Sequence, residues 1–449
     1  MSIIFFITIL GISLRFFVLS NLPLSYDEAF DILLSRNPDF SVRSLAIIEG
    51  HPPFYFMFSY LWQEISKNLY FVRLSSLIFG GTSILLTALI VNKLFNEKAA
   101  YFAALLMAVS PSHVFYSSVA RSYSVAITET VLIIYFFIKF INDKKNTFLL
   151  TFLLILGIYT HYFFVIMLIV MNLYLIFQKK ISRRWILINL AIILICSPLI
   201  YLISSTPKFQ APPYPSFLKL PGFYIFSHFP WDLTQHLEIY QNKSIDLLSV
   251  LAIITVSISL FFLFAGAFKL INEKTIRPLI FLYISSSLVI MIISYTITSI
   301  AALRSFIIFS PFYIFIASTY LSKFSNLPKN LLVVSLTLVS ISFWSGYFLM
   351  KNTNPNVSTF QNIYRNLEPE STVVYNDISL FLPSKILNPQ GKHFLVFQGP
   401  FRLATYDALG ISLLSMSNIP DSKRIRYVRS FTNWPPFEKD ADNLGELFK

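Results

Sequence analysis

Long apolar stretches alternate with short, mostly basic gaps along most of the chain. Because a helix needs about 20 apolar residues to cross a bilayer, the stretches read as spans at Ile3–Ser20, Val72–Val91, Ala99–Ser117, Ser122–Ile141, Thr147–Tyr159, Tyr162–Phe177, Trp185–Ser204, Leu247–Phe268, Pro278–Ser299, Leu303–Leu321 and Asn330–Leu349. The pattern predicts an all-α polytopic membrane protein of about eleven transmembrane helices. The fifth and sixth segments are short, as a broken or tilted pair would be. Pro53–Ser66 has about 14 residues, is rich in aromatics and ends in Gln63-Glu64, which suits an interfacial helix better than a span. No fixed short repeat is visible, which excludes solenoids and propellers.

Beyond Lys351 the pattern changes. Short β-branched and aromatic runs separated by Pro, Asn and Gly predict a small mixed α/β domain of about 95 residues. The chain thus divides into a transmembrane domain, 1–350, with a first outer loop at 21–71 and a long Pro-rich and aromatic outer loop at 205–246, and a C-terminal extracytoplasmic domain, 351–449. That last domain would dock the acceptor or support the outer face.

Composition agrees with the membrane reading. At 55% hydrophobic and 13% charged residues the chain is too apolar for a soluble globule. The formal net charge of +13 resides largely in short loops. Lys93/Lys98, Lys144/Lys145, Lys179/Lys180/Arg183/Arg184, Lys269/Lys274/Arg277 and Lys323/Lys329 all fall on one side when the N-terminus is cytoplasmic. The basic balance therefore implies membrane topology and not nucleic acid. A lone cysteine, Cys196, permits no intrachain disulfide. The first helix lacks a small-x-small cleavage site and reads as a retained helix, with Arg15 snorkelling toward the outer headgroups.

In this register the outer gaps hold most of the candidate chemistry. Asp27 and Glu28 sit just beyond the first helix, and Asp31 shares a helical face with Asp27. A carboxylate beside an acceptor hydroxyl or amide serves as general base when that acceptor attacks a sugar carbon. One base suffices if the leaving group is a phosphate. The plainer reading of each carboxylate is a solvated loop charge. His51, before Pro52-Pro53, falls at a helix start, as a phosphate or acceptor contact or only as a cap. Arg73, Arg121 and Arg304 lie at outer helix ends, where guanidinium forks suit phosphate oxygens, though a single such Arg can equally snorkel. Tyr123 and His161 either line the same cavity or belong to an aromatic belt. No GxxxxGK[ST], HExxH or CxxC is present, so nucleotide hydrolysis, zinc proteolysis and thiol redox lack their parts. Asn242 and Asn356 head sequons on the outer side.

Tyr26-Asp27-Glu28-Ala29, Gly50-His51-Pro52-Pro53-Phe54-Tyr55, Val72-Arg73-Leu74-Ser75-Ser76, Leu94-Phe95 with Ala99-Ala100, and Ser110-Pro111 occur in this order. Together they resemble the GT-C superfamily of polyprenyl-phosphate-sugar glycosyltransferases, nearest to the prokaryotic branch related to protein O-mannosyltransferases and aminoarabinose transferases (family 39). The likeness covers about the first 200 residues; later helices match only by hydropathy and Arg304. It implies a sugar carried on dolichyl or undecaprenyl phosphate and transferred with inversion, at the external face of the cell membrane, to a lipid, glycan or protein acceptor. By the same resemblance Asp27 is the catalytic carboxylate, Glu28 its partner and Arg304 a holder of the lipid phosphate. Arg304 is followed here by Ser305 where the family has Tyr. Arg121-Ser122-Tyr123 resembles the family's Arg-x-Tyr. Some relatives use a divalent metal and others none. A lipid-linked glycan flippase is the rival from another class, and would carry mid-membrane charges and internal repeats. A glycan polymerase or ligase differs only in its acceptor.

Overall fold

The computed structural model describes residues 2–36, 52–143, 146–204, 264–297 and 303–324, the segments 372–375, 378–387, 389–390, 392–396, 413–414, 425–429 and 437–441, and residues 261, 300 and 344. Among these the helices are α1 (Ser2–Asn21), α2 (Tyr26–Arg36), α3 (Phe54–Ile65), α4 (Leu69–Leu94), α5 (Glu97–Val109), α6 (Pro111–Tyr116), α7 (Tyr123–Asp143), α8 (Thr147–Thr160), α9 (Phe163–Phe177), α10 (Arg183–Ser204), α11 (Ile276–Thr296), a 3-10 helix (Leu303–Phe309), α12 (Ser310–Leu321) and α13 (Ile378–Leu387). The chain forms two compact units. One comprises Met1–Ser20, His51–Tyr55 and Arg73–Tyr347; the other comprises Asn21–Gly50, Phe56–Val72 and Phe348–Lys449.

In the first unit, α4, α7 and α11, with α1, are long and apolar enough to cross a membrane. α1 buries Ile4, Thr8, Gly11, Arg15 and Val18 at helical spacing and exposes Phe5, Phe6, Leu10, Phe16 and Phe17. A face of large apolar side chains left open is what lipid contact requires. The predicted span Ala99–Ser117 is two helices, not one. Asn96 starts α5 by accepting the Ala99 N–H at 2.8 Å, and Pro111, which has no N–H, ends its hydrogen-bond ladder.

That break explains Arg15. The Met107 carbonyl would take its proton from residue 111, which is proline, and the Ala108 carbonyl lies in the same orphaned last turn. Arg15 supplies both, donating from Nη2 to Met107 O at 2.8 Å and from Nη1 to Ala108 O at 2.9 Å, with a third bond to Gly11 O at 3.0 Å. Close approach makes this reach feasible: a Cβ on Gly11 would stand 3.0 Å from the Ala108 Cβ. Arg15 is 0% exposed, so the snorkelling expected from sequence is wrong. The unmet carbonyls inside the body outcompete the headgroups.

Helices α9 and α10 are joined by a polar clasp. Trp185 Nε1 donates to Asn172 Oδ1 at 2.8 Å, Asn172 Nδ2 to Asn189 Oδ1 at 2.9 Å, and Asn189 Nδ2 back to the Trp185 carbonyl at 2.9 Å. Such hydrogen bonds hold helices where lipid gives no hydrophobic drive. The predicted span Leu303–Leu321 opens with the 3-10 helix before becoming α12. The segments Leu247–Phe268 and Asn330–Leu349 lie largely outside the described residues, as do the loop 205–246 and both sequons.

In the second unit the helix expected near 53–66 is α3. Its 12 residues extend about 18 Å, too short to span. Arg36 of α2 donates from Nε to Gln63 Oε1 of α3 at 2.7 Å and from Nη2 to the Lys67 carbonyl at 2.7 Å, while Gln63 Nε2 reaches Ser59 Oγ at 3.0 Å. Burial holds the Arg36 guanidinium below its ordinary pKa. Trp62 stacks on Phe71 at 4.9 Å and donates to its carbonyl. The C-terminal portion carries β1 (Thr372–Tyr375), β2 (Lys392–Val396), β3 (Leu413–Leu414), β4 (Ile425–Arg429) and β5 (Phe437–Ala441) in the order β3-β2-β1-β4-β5. Among the described residues the β4–β5 pair is antiparallel and the other pairs are parallel. β1, α13 and β2 form a parallel crossover. The mixed α/β character predicted for this region is therefore present. Helix α13 also packs against α2.

Candidate active site

The carboxylates stand on the first turn of α2. Ser25 precedes the helix, its carbonyl accepting the Ala29 N–H at 2.9 Å and its Oγ the Glu28 N–H at 3.3 Å. Ser-x-x-Glu at a helix start is the signature of a capping box, and Glu28 at its fourth position is 0% exposed. Asp27 is half-buried at the start of α2, where the helix dipole favours an ionised carboxylate. Neighbouring helical residues point about 100° apart. Asp27 and Glu28 therefore leave the helix in different directions, and Asp27 is the more accessible of the two. Asp31, one turn on, is buried.

The cationic and aromatic candidates belong to the other unit, and three of them come together. The Arg121 guanidinium lies over the Tyr123 ring at 5.9 Å, and Tyr123 faces His161 at 5.8 Å and Tyr116 at 4.6 Å. His161 continues to Phe163 at 4.8 Å, and Phe163 to Phe309 at 6.5 Å. Phe309 closes the 3-10 helix that includes Arg304; the Arg304 side chain and all of His51 fall outside the described residues. His161 Nδ1 accepts the Phe163 N–H at 3.3 Å, which leaves Nε2 to carry the proton of the neutral ring. Arg73 is buried and donates from Nη1 to the Leu19 carbonyl at 3.0 Å.

Two polar groups escaped the sequence reading. Glu129 lies inside α7, 4% exposed, its Oε1 2.8 Å from Thr160 Oγ1. Glu129 therefore places a carboxyl group, and Arg15 a guanidinium, within an apolar helix. A single Glu in the apolar run Val125–Phe137 was the available signal. His113 of α6 is buried, with Nε2 2.8 Å from Ser310 Oγ at the start of α12. Among the described residues no group of three His, Cys, Asp or Glu is placed to hold a metal ion.

The model of the dolichyl-phosphate-mannose-protein mannosyltransferase family matches residues 50–202. Among solved structures, ArnT from Cupriavidus metallidurans in the apo state aligns with a TM-score of 0.62 at 12% identity, covering 95% of this chain and 92% of that one. The same protein bound to undecaprenyl phosphate gives 0.60 over the same shares, also at 12% identity. The oligosaccharyltransferase AglB from Archaeoglobus fulgidus, in complex with an inhibitory peptide and a dolichol-phosphate, gives 0.51 at 10% identity, covering 95% of this chain and 69% of that one. No curated protein matches in sequence. The chain shares its fold with ArnT and AglB, which agrees with the fold that the motif resemblance implies.

Proposed function

We propose that this membrane protein is a glycosyltransferase that moves a sugar from a polyprenyl phosphate, dolichyl or undecaprenyl, to a lipid, glycan or protein acceptor at the extracytoplasmic face. The observation that carries this reading is the fold shared over 95% of the chain with ArnT, a protein solved with undecaprenyl phosphate bound. Residues 1–350 form the catalytic domain and 351–449 an extracytoplasmic domain.

The chemistry assigned to the residues is a single displacement. Asp27 takes the proton from the acceptor as its oxygen or nitrogen attacks the anomeric carbon; the carbon–oxygen bond to phosphate breaks on the opposite face, so configuration inverts. The polyprenyl phosphate leaves with the electron pair and needs no acid. Arg121, supported by Tyr123 and His161, stabilises the charge on that phosphate, with Arg73, Arg304 and His51 as further candidates. The partial exposure of Asp27 and the complete burial of Glu28 favour Asp27 as the base.

The flippase reading draws one specific observation, the carboxylate of Glu129 inside α7. Reconstitution separates the two. With defined polyprenyl-phosphate sugars in liposomes, the glycosyltransferase releases polyprenyl phosphate as the acceptor gains sugar, and Asp27→Asn lowers kcat by about 100-fold or more while lipid binding persists. Translocation of lipid-linked sugar without transfer would overturn the proposal.

A further inference from the structure

Glu129 has a geometry that the proposed chemistry does not use. It lies more than one turn inside α7, and its Oε1 is 2.8 Å from Thr160 Oγ1, which is also 3.0 Å from the Leu156 carbonyl. A hydroxyl has one proton, and a carbonyl can only accept. Both contacts are satisfied together when Thr160 donates to Leu156 and accepts from a neutral Glu129 carboxyl group. The other oxygen, Oε2, is buried without a hydrogen-bond partner in the structure, which a carbonyl-like oxygen tolerates far better than half of a naked carboxylate does.

Thr160 ends α8, and His161 follows it directly. α7 therefore meets this corner at two points: Glu129 on Thr160, and Tyr123 against the His161 ring at 5.8 Å. We propose that Glu129 is a positioning residue, whose neutral carboxyl group anchors Thr160 and thereby holds His161 in the row with Tyr123 and Arg121 that receives the lipid phosphate. The inference rests on the reading of that row as the headgroup site. It also removes the main support for a flippase, because a neutral anchor is not a transport charge.

The test compares Glu129→Gln, Glu129→Leu and Thr160→Val in the full-length protein, using undecaprenyl phosphate in nanodiscs to measure binding and a polyprenyl-phosphate sugar to measure turnover. Gln keeps a donor for Thr160. Glu129→Gln is expected to bind within about twofold of wild type, whereas Glu129→Leu and Thr160→Val weaken binding and raise the donor KM by about tenfold with little change in kcat. Equal damage from Gln and Leu would show that the charge is what matters and would overturn the inference, as would unaltered binding in Thr160→Val. If Glu129→Leu does not fold, Gln against Thr160→Val still decides. The binding arm needs no turnover. Wild type that binds the lipid phosphate but transfers nothing sinks the enzymatic reading alone; wild type that binds none sinks both.

Discussion

Arg15 shows how a charged residue can be committed to the backbone before it is available for chemistry. Guanidinium bonds to the carbonyls of Met107 and Ala108 repair a buried helix end, and a third goes to Gly11 within α1. Arg15→Leu would bury those groups unpaired at about 1–3 kcal/mol each for the orphaned pair, and a drop in melting temperature in detergent with loss of monodisperse protein is the expected readout. Arg15→Lys should recover part of it. Ser25→Ala removes one cap bond of α2 and should cost about 1 kcal/mol, measured as a lower denaturation midpoint, with donor KM unaltered. The carboxylate pair was legible in the sequence; the complete burial of Glu28 was not. Ser25-Tyr26-Asp27-Glu28 contains the capping signature, yet the same letters read equally well as two acids on an open loop. Glu129 was passed over because one polar letter barely changes the hydropathy of a 21-residue helix.

At the scale of elements, hydropathy identifies where a helix runs and is blind to what interrupts it. Pro111 marked a break in plain view, but the apolar run from Ala99 to Ser117 overrode it; the cost of the break became clear only with Arg15 bound to the freed carbonyls. The 12-residue α3 was recognisable because its length and aromatic content both spoke against a span. The parallel strands of the C-terminal region were recognisable as β-branched runs, whereas their order depends on long-range pairing that no local pattern encodes. Close helix contacts also leave little trace in sequence. A Cβ on Gly80 would overlap Ser117 Oγ, and one on Gly157 would stand 2.6 Å from the Phe164 ring. Gly80→Val should therefore force α4 from the turn after α6 and reduce folded yield severely, while Gly157→Ala, opposed by a ring that can shift, should be milder; size-exclusion profiles of the two variants would show the ranking.

For the molecule as a whole, apolar composition and basic loops define a membrane protein, and its fold is shared with ArnT and AglB. The positive-inside assignment predicts that cysteines introduced at Lys179 or Lys323 react with a membrane-impermeant thiol reagent only from the cytoplasmic side, and one introduced at Ser122 only from outside. Labelling in the reverse sense would move Arg121, Tyr123 and His161 to the wrong face for an exported acceptor. The central claim, that Asp27 deprotonates an acceptor attacking a polyprenyl-phosphate sugar, is tested most directly by single-turnover transfer in liposomes with wild type and Asp27→Asn. The account predicts release of polyprenyl phosphate coupled to a sugar of inverted configuration on the acceptor, and a loss of about 100-fold or more in the Asn variant with donor binding intact. Transfer at the wild-type rate by Asp27→Asn would contradict it.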